Sequence, residues 1–454
     1  MNSNHHKKPS EGYNDIIPVI QEWVRFTAFY YEVPGISFVI QVRDELLSKK
    51  AFGVKNLETK EQMTTETLFR IASHSKLFTA TAIMELYAQG KLSLDDKVTK
   101  HLDWFTPSND NIRIHHLLTH SSGITRDGEF GQWYHHNFPD LDQFKEILSH
   151  PFEILDPSVQ IKYSNIAYTI LGQIVEKIAD VSYESYMKDL LHRLGLENTF
   201  SNLGGRENLH ATGHYMRFPG EKRKTFNHVE AKVMDAATGF SSVPSDILQF
   251  FRAQMIGINR GLKYGDYFKR EMQNIHFRTK EGLVDIEWGY GFWRKYFRKL
   301  LFIGHSGGYP GFITLSGFNP ERELGISIFT NTLQPPLEEI FGGVVGLLRY
   351  AEKHYSEYDD DLKQDFTGYE GMYRGRWQIL LIKQFNKQLI MIPITLLDPV
   401  QAIQRLQWSN DNTFIIREAL PGASKGENVY FKSGEKGKEI HFGGDIYKEF
   451  KLDY

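Results

Sequence analysis

Phe69-Arg70-Ile71-Ala72-Ser73-His74-Ser75-Lys76 leads into an apolar helical run, and its reading decides the rest of the chain. Ser73 and Lys76 stand three residues apart, so on a helix they share a face and the lysine nitrogen can reach the serine oxygen. Upstream, Thr67 to Ile71 predicts a short strand. Downstream, Leu77, Phe78, Ala80, Ala82, Ile83, Leu86 and Tyr87 recur at helical spacing until Gly90. Ser73 therefore falls at a strand-to-helix junction, where free backbone N–H groups and the positive end of the helix dipole favour developing negative charge. These are the parts that activate a serine for attack on a carbonyl. The same spacing recurs at Ser185/Lys188, inside an amphipathic helical pattern, and at Ser433/Lys436, in a polar turn beside Gly434. The competing explanation of the tetrad is an ordinary N-cap serine beside a surface lysine.

Two more segments have matching chemistry. Tyr163-Ser164-Asn165 precedes an apolar helical run through Ile166, Ile170, Leu171, Ile174 and Ile178. A phenol at this corner could carry protons, and Asn165 could orient Lys76 or a substrate amide. Gly304-His305-Ser306-Gly307-Gly308-Tyr309-Pro310-Gly311 joins a strand at Leu300–Ile303 to another starting near Phe312. Its glycines let a substrate approach the backbone, and the N–H groups of Gly308 and Ser73 could form an oxyanion hole. His305 could hold a substrate carboxylate or tune nearby protons. Without a following Gly-Lys-Ser/Thr, this is not a phosphate loop. Each segment alone also fits a plain structural role, as an N-cap region or a hairpin turn.

The three motifs stand in the order Ser73-x-x-Lys76, Tyr163-x-Asn165, His305-Ser306-Gly307. With them the chain resembles the penicillin-recognising serine hydrolases, nearest the class C β-lactamase-like group that includes D-aminopeptidases and carboxylesterases. Further matches are Leu117-Leu118-Thr119-His120-Ser121-Ser122-Gly123, Ala237-Thr238-Gly239-Phe240-Ser241-Ser242 and Trp288-Gly289-Tyr290-Gly291-Phe292-Trp293. The resemblance covers about residues 12 to 350. It implies an acyl-enzyme on Ser73, with Lys76 or Tyr163 as the base and the other left to move protons. It also implies substrate contacts from Asn165, His305, Ser306, Gly307 and Gly308. His305 stands where the superfamily often has lysine. This favours a peptidase or amidase, with D-residues within its range, over a carboxylesterase. A β-lactamase and a non-catalytic binding module are the weaker alternatives.

Size and composition bound the organisation. The chain has 454 residues, 41% of them hydrophobic and 14% aromatic, a net charge of −3 and no cysteine. That suits two domains with a substantial core and excludes disulfides and thiol chemistry. Strands early and late with helices between predict an α+β domain over 12–354, its antiparallel sheet flanked by helices and a helical lobe. A polar tail, 1–11, precedes it and a charged linker, 355–364, follows. Short strand-like runs over 365–454 predict a small all-β barrel, similar to the lipocalin-like barrel appended to some of these peptidases. Spread-out basic residues exclude nucleic acid as a partner. The polar N-terminus lacks a signal-peptide pattern and no apolar run is long enough to span a bilayer, so a cytoplasmic protein with no membrane partner is expected. The expected partner is a small-molecule or peptide substrate, with homo-oligomerisation left open and no cofactor or metal. His115, His116 and His120 approach zinc-ligand spacing but lack the accompanying glutamate, and read as structural.

Overall fold

The computed structural model describes residues 11–281, 284–355, 365–418, 424–434 and 437–454. The expected tail, 1–11, lies outside the described residues except for Glu11, and the expected linker, 355–364, except for Tyr355. Packing divides the chain into two compact units. One is Pro34–Pro335; the other joins the chain through Val33 to Pro336–Tyr454. The helices Glu11–Tyr30 and Leu337–His354 group with the barrel in this division.

In the Pro34–Pro335 unit the strands are, in chain order, β1 (Gly35–Val42), β2 (Glu45–Gly53), β3 (Phe69–Arg70), β4 (Ser241–Ser242), β5 (Phe277–Glu281), β6 (Val284–Trp288), β7 (Trp293–Phe297), β8 (Leu300–Tyr309), β9 (Phe312–Asn319) and β10 (Leu324–Thr330). Eight of them form one antiparallel sheet in the order β2-β1-β10-β9-β8-β7-β6-β5, and β3 pairs with β4. β1 lies against β10, with Ile36 opposite Thr330 and Val42 opposite Leu324. The sheet is thus assembled from both ends of the unit, with the helices between, and the fold is α+β as the apolar pattern predicts. Both strands are almost wholly buried, which accounts for their nearly continuous apolar sequences. The helix Ser75–Ala88 is buried on all sides from Ser75 to Leu86, and Phe78 stacks on Phe240 with centroids 4.9 Å apart.

Two predicted elements change. The alternation of apolar residues predicts a strand near Trp288–Trp293, but β6 ends at Trp288, β7 begins at Trp293, and the Gly289 N–H donates to the Phe292 carbonyl at 2.8 Å. The alternating aromatics imitate a strand, but a Cβ at Gly289 would sit 2.1 Å from the Met272 carbonyl oxygen, so the glycine permits a close chain crossing. The Gly304–Tyr309 stretch is likewise no connection. It is the second half of β8, and the turn is Pro310-Gly311. Pairing with β9 holds it extended despite its glycines.

The barrel unit closes eight antiparallel strands from Gly371–Arg374 to Asp445–Phe450, the last pairing with the first through Met372 and Phe450. Seven strand-like runs were legible. The eighth, Gln404–Asn410, is polar apart from Leu406 and Trp408, and Leu406 is its buried residue. Side chains such as Tyr373, Phe414 and Phe431 fill the interior, as the width of an eight-stranded barrel allows. In the same unit Trp23 donates through Nε1 to the Leu396 carbonyl at 3.2 Å, and its ring lies where a Cβ on Gly343 would be. No helix among the described residues is long and apolar enough to cross a membrane.

Candidate active site

β3 delivers the chain to a 3-10 turn, Ala72–His74, that runs into the helix Ser75–Ala88. Ala72 has φ of 48°, a left-handed conformation costing roughly 1–2 kcal/mol for a residue with a Cβ. The surroundings hold this turn. The Ser75 hydroxyl donates to the Ala72 carbonyl at 2.5 Å and accepts the Phe240 N–H at 3.0 Å. A Cβ at Gly307 would lie 2.2 Å from the Ile71 carbonyl oxygen, so this glycine lets the turn dock on β8. The result presents Ser73, half-buried, between the helix and the strand.

Lys76 is fully buried. Its Nζ lies 2.7 Å from Asn165 Oδ1, 2.8 Å from the Ala237 carbonyl and 3.3 Å from Ser73 Oγ. Burial pushes its pKa well below the ordinary lysine value; the Asp127 carboxylate opposes that shift and the Arg126 guanidinium adds to it. A neutral amine has two N–H bonds and one lone pair. In that neutral form the two short contacts would take both N–H bonds, and the lone pair would be left for the more distant Ser73 hydroxyl.

Asn165 opens the helix Asn165–Ala179, capped by Ser164, whose hydroxyl accepts the Ala167 N–H at 2.9 Å. The Asn165 amide is oriented by its second contact, Nδ2 donating to Asp127 Oδ1 at 2.6 Å. The Tyr163 ring lies 5.0 Å from Lys76 Nζ. Burial raises the Tyr163 pKa above the ordinary phenol value, only partly offset by the nearby Ser73 side chain and by Arg126, so the group is a neutral phenol. His120 stacks on this ring at 4.2 Å and accepts the Ser164 N–H through Nδ1 at 3.1 Å. Trp288 closes another side at 5.8 Å, and the Arg126 guanidinium lies 5.3 Å from the ring centroid.

β8 brings His305, Ser306, Gly307 and Gly308 alongside. His305 is buried, with Nδ1 2.6 Å from the Ser306 carbonyl, and Nε2 has no partner among the described residues. Burial, with His74 and Lys76 nearby, pushes its pKa well below the ordinary imidazole range. It is therefore a neutral acceptor at Nε2, without the charge that would hold a carboxylate. Ser306 and Gly308 are exposed. Pro310-Gly311 is a two-residue turn closed by Tyr309 and Phe312, and the alternation of an antiparallel pair leaves the Gly308 N–H outside the β8–β9 ladder.

The three sequence motifs thus meet, and four groups join them that the sequence reading left out: Asp127, Arg126, the Ala237 carbonyl and the stacked ring of His120. Ala237 lies in a five-residue π-helix, Asp235–Gly239, a form common at functional sites. Its segment had matched the family pattern, but a backbone acceptor has no residue-type signature. His115 and His116 are occupied elsewhere, at the Leu94 carbonyl and between the Arg113 N–H and Ser158.

A lysine-bearing serine motif at the start of a helix in an antiparallel α+β unit, facing a tyrosine and a glycine-rich strand, is the arrangement of the β-lactamase-like serine hydrolases. The comparisons agree with it: the Beta-lactamase family model matches residues 21–344, and the chain belongs to that family. Protein flp of Staphylococcus aureus (strain MW2) is 24% identical over 310 residues, covering 66% of this chain and 60% of its own length. Penicillin-binding protein 4* of Bacillus subtilis (strain 168) is 26% identical over 292 residues, covering 60% of this chain and 62% of its own. The chain thus spans about three fifths of the curated relatives it matches. The octameric penicillin-binding protein homologue from Pyrococcus abyssi superposes with a TM-score of 0.65 at 23% identity, covering 95% of this chain and all of that one, barrel included.

Proposed function

We propose that this protein is a serine hydrolase that cleaves amide or peptide bonds through an acyl-enzyme on Ser73. The observation that carries this reading is the environment of Lys76, a fully buried nitrogen with two short acceptors and Ser73 Oγ 3.3 Å away. Neutral Lys76 takes the Ser73 proton as Oγ bonds to the substrate carbonyl carbon. The oxyanion rests on the N–H groups of Ser73 and Gly308. As the C–N bond breaks, the leaving amine takes a proton passed from Lys76 through the Tyr163 hydroxyl. Water then attacks the acyl carbon, its proton returns to Lys76, and Ser73 is released when that proton is handed back. The raised pKa of Tyr163 supports a role as proton carrier and opposes a phenolate base.

The neutral, buried His305 supports an amide or peptide substrate over a β-lactam held by its carboxylate, and the His-x-Gly pattern points toward D-residues. A carboxylesterase is the alternative, since the same machinery cleaves the weaker ester bond. By likeness to the octameric homologue, self-association belongs to the same proposal. The test is intact mass after a fluorophosphonate probe, followed by turnover of D- and L-amino acid anilides, aryl esters and nitrocefin. One adduct on the wild type and none on Ser73→Ala, with anilide turnover exceeding nitrocefin turnover, is expected. Labelling that persists in Ser73→Ala would overturn the assignment.

A further inference from the structure

A cavity of about 660 Å³ lies beneath the loop that carries Arg126 and Asp127. Its size is that of a small-molecule site. Phe130, Ile147 and Phe152 give it apolar walls, and two exposed glutamates, Glu129 and Glu146, stand on its lining. Neither carboxylate has an ion-pair partner among the described residues. No lysine or arginine lines the cavity. The neighbouring cations are engaged elsewhere: Lys145 lies 3.9 Å from Asp142 and 5.8 Å from the Trp104 ring, and Arg126 pairs with Asp127 at 3.2 Å. The remaining titratable lining group is His150, which is exposed. Apolar walls with two unpaired negative charges fit an occupant with an apolar body and a positive end.

The position of the cavity gives occupancy a consequence. Thr125 and Gly128 line it and bracket Arg126-Asp127 in the chain. Gly128 has φ of 69°, and a Cβ there would lie 2.8 Å from Ile147 Cγ2, so the loop rests directly on the cavity wall. From Asp127 the chain of contacts is short: Oδ1 accepts from Asn165 Nδ2 at 2.6 Å, and Asn165 Oδ1 accepts from Lys76 at 2.7 Å. We infer that this cavity is a binding site for a small hydrophobic cation, an aryl- or alkylammonium, and that its occupancy is transmitted to Lys76 through Asp127. The second half rests on the role proposed for Lys76; the binding itself does not.

The experiment therefore separates the two. Binding of phenethylammonium is measured by calorimetry on Ser73→Ala, with 2-phenylethanol as the uncharged counterpart. The cation is expected to bind at least tenfold more tightly than the alcohol, and the double variant Glu129→Gln/Glu146→Gln to erase most of that difference. No binding, equal affinity for both probes, or affinity unchanged in the double variant would overturn the site. On the otherwise wild-type enzyme, saturating phenethylammonium is expected to change the fluorophosphonate labelling rate at least twofold, and the double variant to lose that response. An unchanged rate with binding intact would overturn the coupling. An enzyme that binds the cation but takes no fluorophosphonate would overturn the hydrolase reading instead.

Discussion

Lys76 and Arg70 are both buried basic residues, six positions apart, yet their surroundings are opposite. Lys76 has three oxygen atoms around its nitrogen. Arg70 has one, donating through Nη2 to the Tyr309 hydroxyl at 3.2 Å, with its guanidinium 4.6 Å from the same ring. Among the described residues its Nε and Nη1 have no partner, and neither has Oδ1 of Asp235, whose pKa burial raises to about 8 against the pull of Arg70. A lysine can shed its charge when buried and then has a lone pair to use. An arginine cannot, and stays a charge to be accommodated. The difference separates a group suited to the proton transfer proposed above from one that stays charged.

The strongest way to break this comparison is Lys76→Met. Loss of the base is expected to lower kcat/KM by about three orders of magnitude or more. Stability is expected to move the other way. The folded-state pKa of Lys76 lies below its unfolded value, so the unfolded chain binds the extra proton and wild-type stability rises with pH up to about 10.4, the unperturbed lysine value. The methionine variant lacks that slope, so its advantage in urea midpoint is expected to grow as the pH falls from 10 to 7. A variant less stable than wild type at pH 7 would mean that the buried amine stabilises the fold.

Tyr163→Phe comes next, with a loss of about a hundredfold. The acid limb of the pH–rate profile is expected to remain, because it reports Lys76; its disappearance would transfer the role of base to Tyr163.

Arg70→Met is expected to leave that limb in place, since Arg70 is not among the charges acting on Lys76. Removing this charge is also expected to raise the Asp235 pKa further, since Arg70 is the group that lowers it. A displaced acid limb would show the two basic residues to be coupled.

The smallest effects sharpen the field at Lys76. Asp127→Asn removes a charge that raises the Lys76 pKa, so its acid limb is expected to move to lower pH. Arg126→Gln removes one that lowers it, so that limb is expected to move to higher pH. Shifts in the same direction would contradict the electrostatic account.

Much of this arrangement is legible in the sequence, for reasons particular to each part. Ser73 and Lys76 are readable because the helix brings them together locally. Tyr163 and Asn165 are readable because the apolar helix that follows marks a corner. Asp127 is not, because its link to Asn165 spans 38 residues through a loop with no periodicity. The turn at Gly289–Phe292 was hidden by alternating aromatics, and the barrel strand Gln404–Asn410 by its polar sequence. In each case a distant partner, rather than the local pattern, decides the conformation. The motif at Gly304–Tyr309 teaches the same: its glycines read as a turn, and β9 makes it a strand.

The pairing of β1 with β10 also has a consequence for how the protein is made. β1 leaves the ribosome nearly three hundred residues before the strand that covers it. At ordinary rates of synthesis that interval is on the order of tens of seconds. During it a strand that is almost entirely buried in the finished sheet has its neighbour β2 on one side and an open edge on the other. The nascent chain is therefore at its most adhesive early, and that edge is covered only once synthesis passes Thr330.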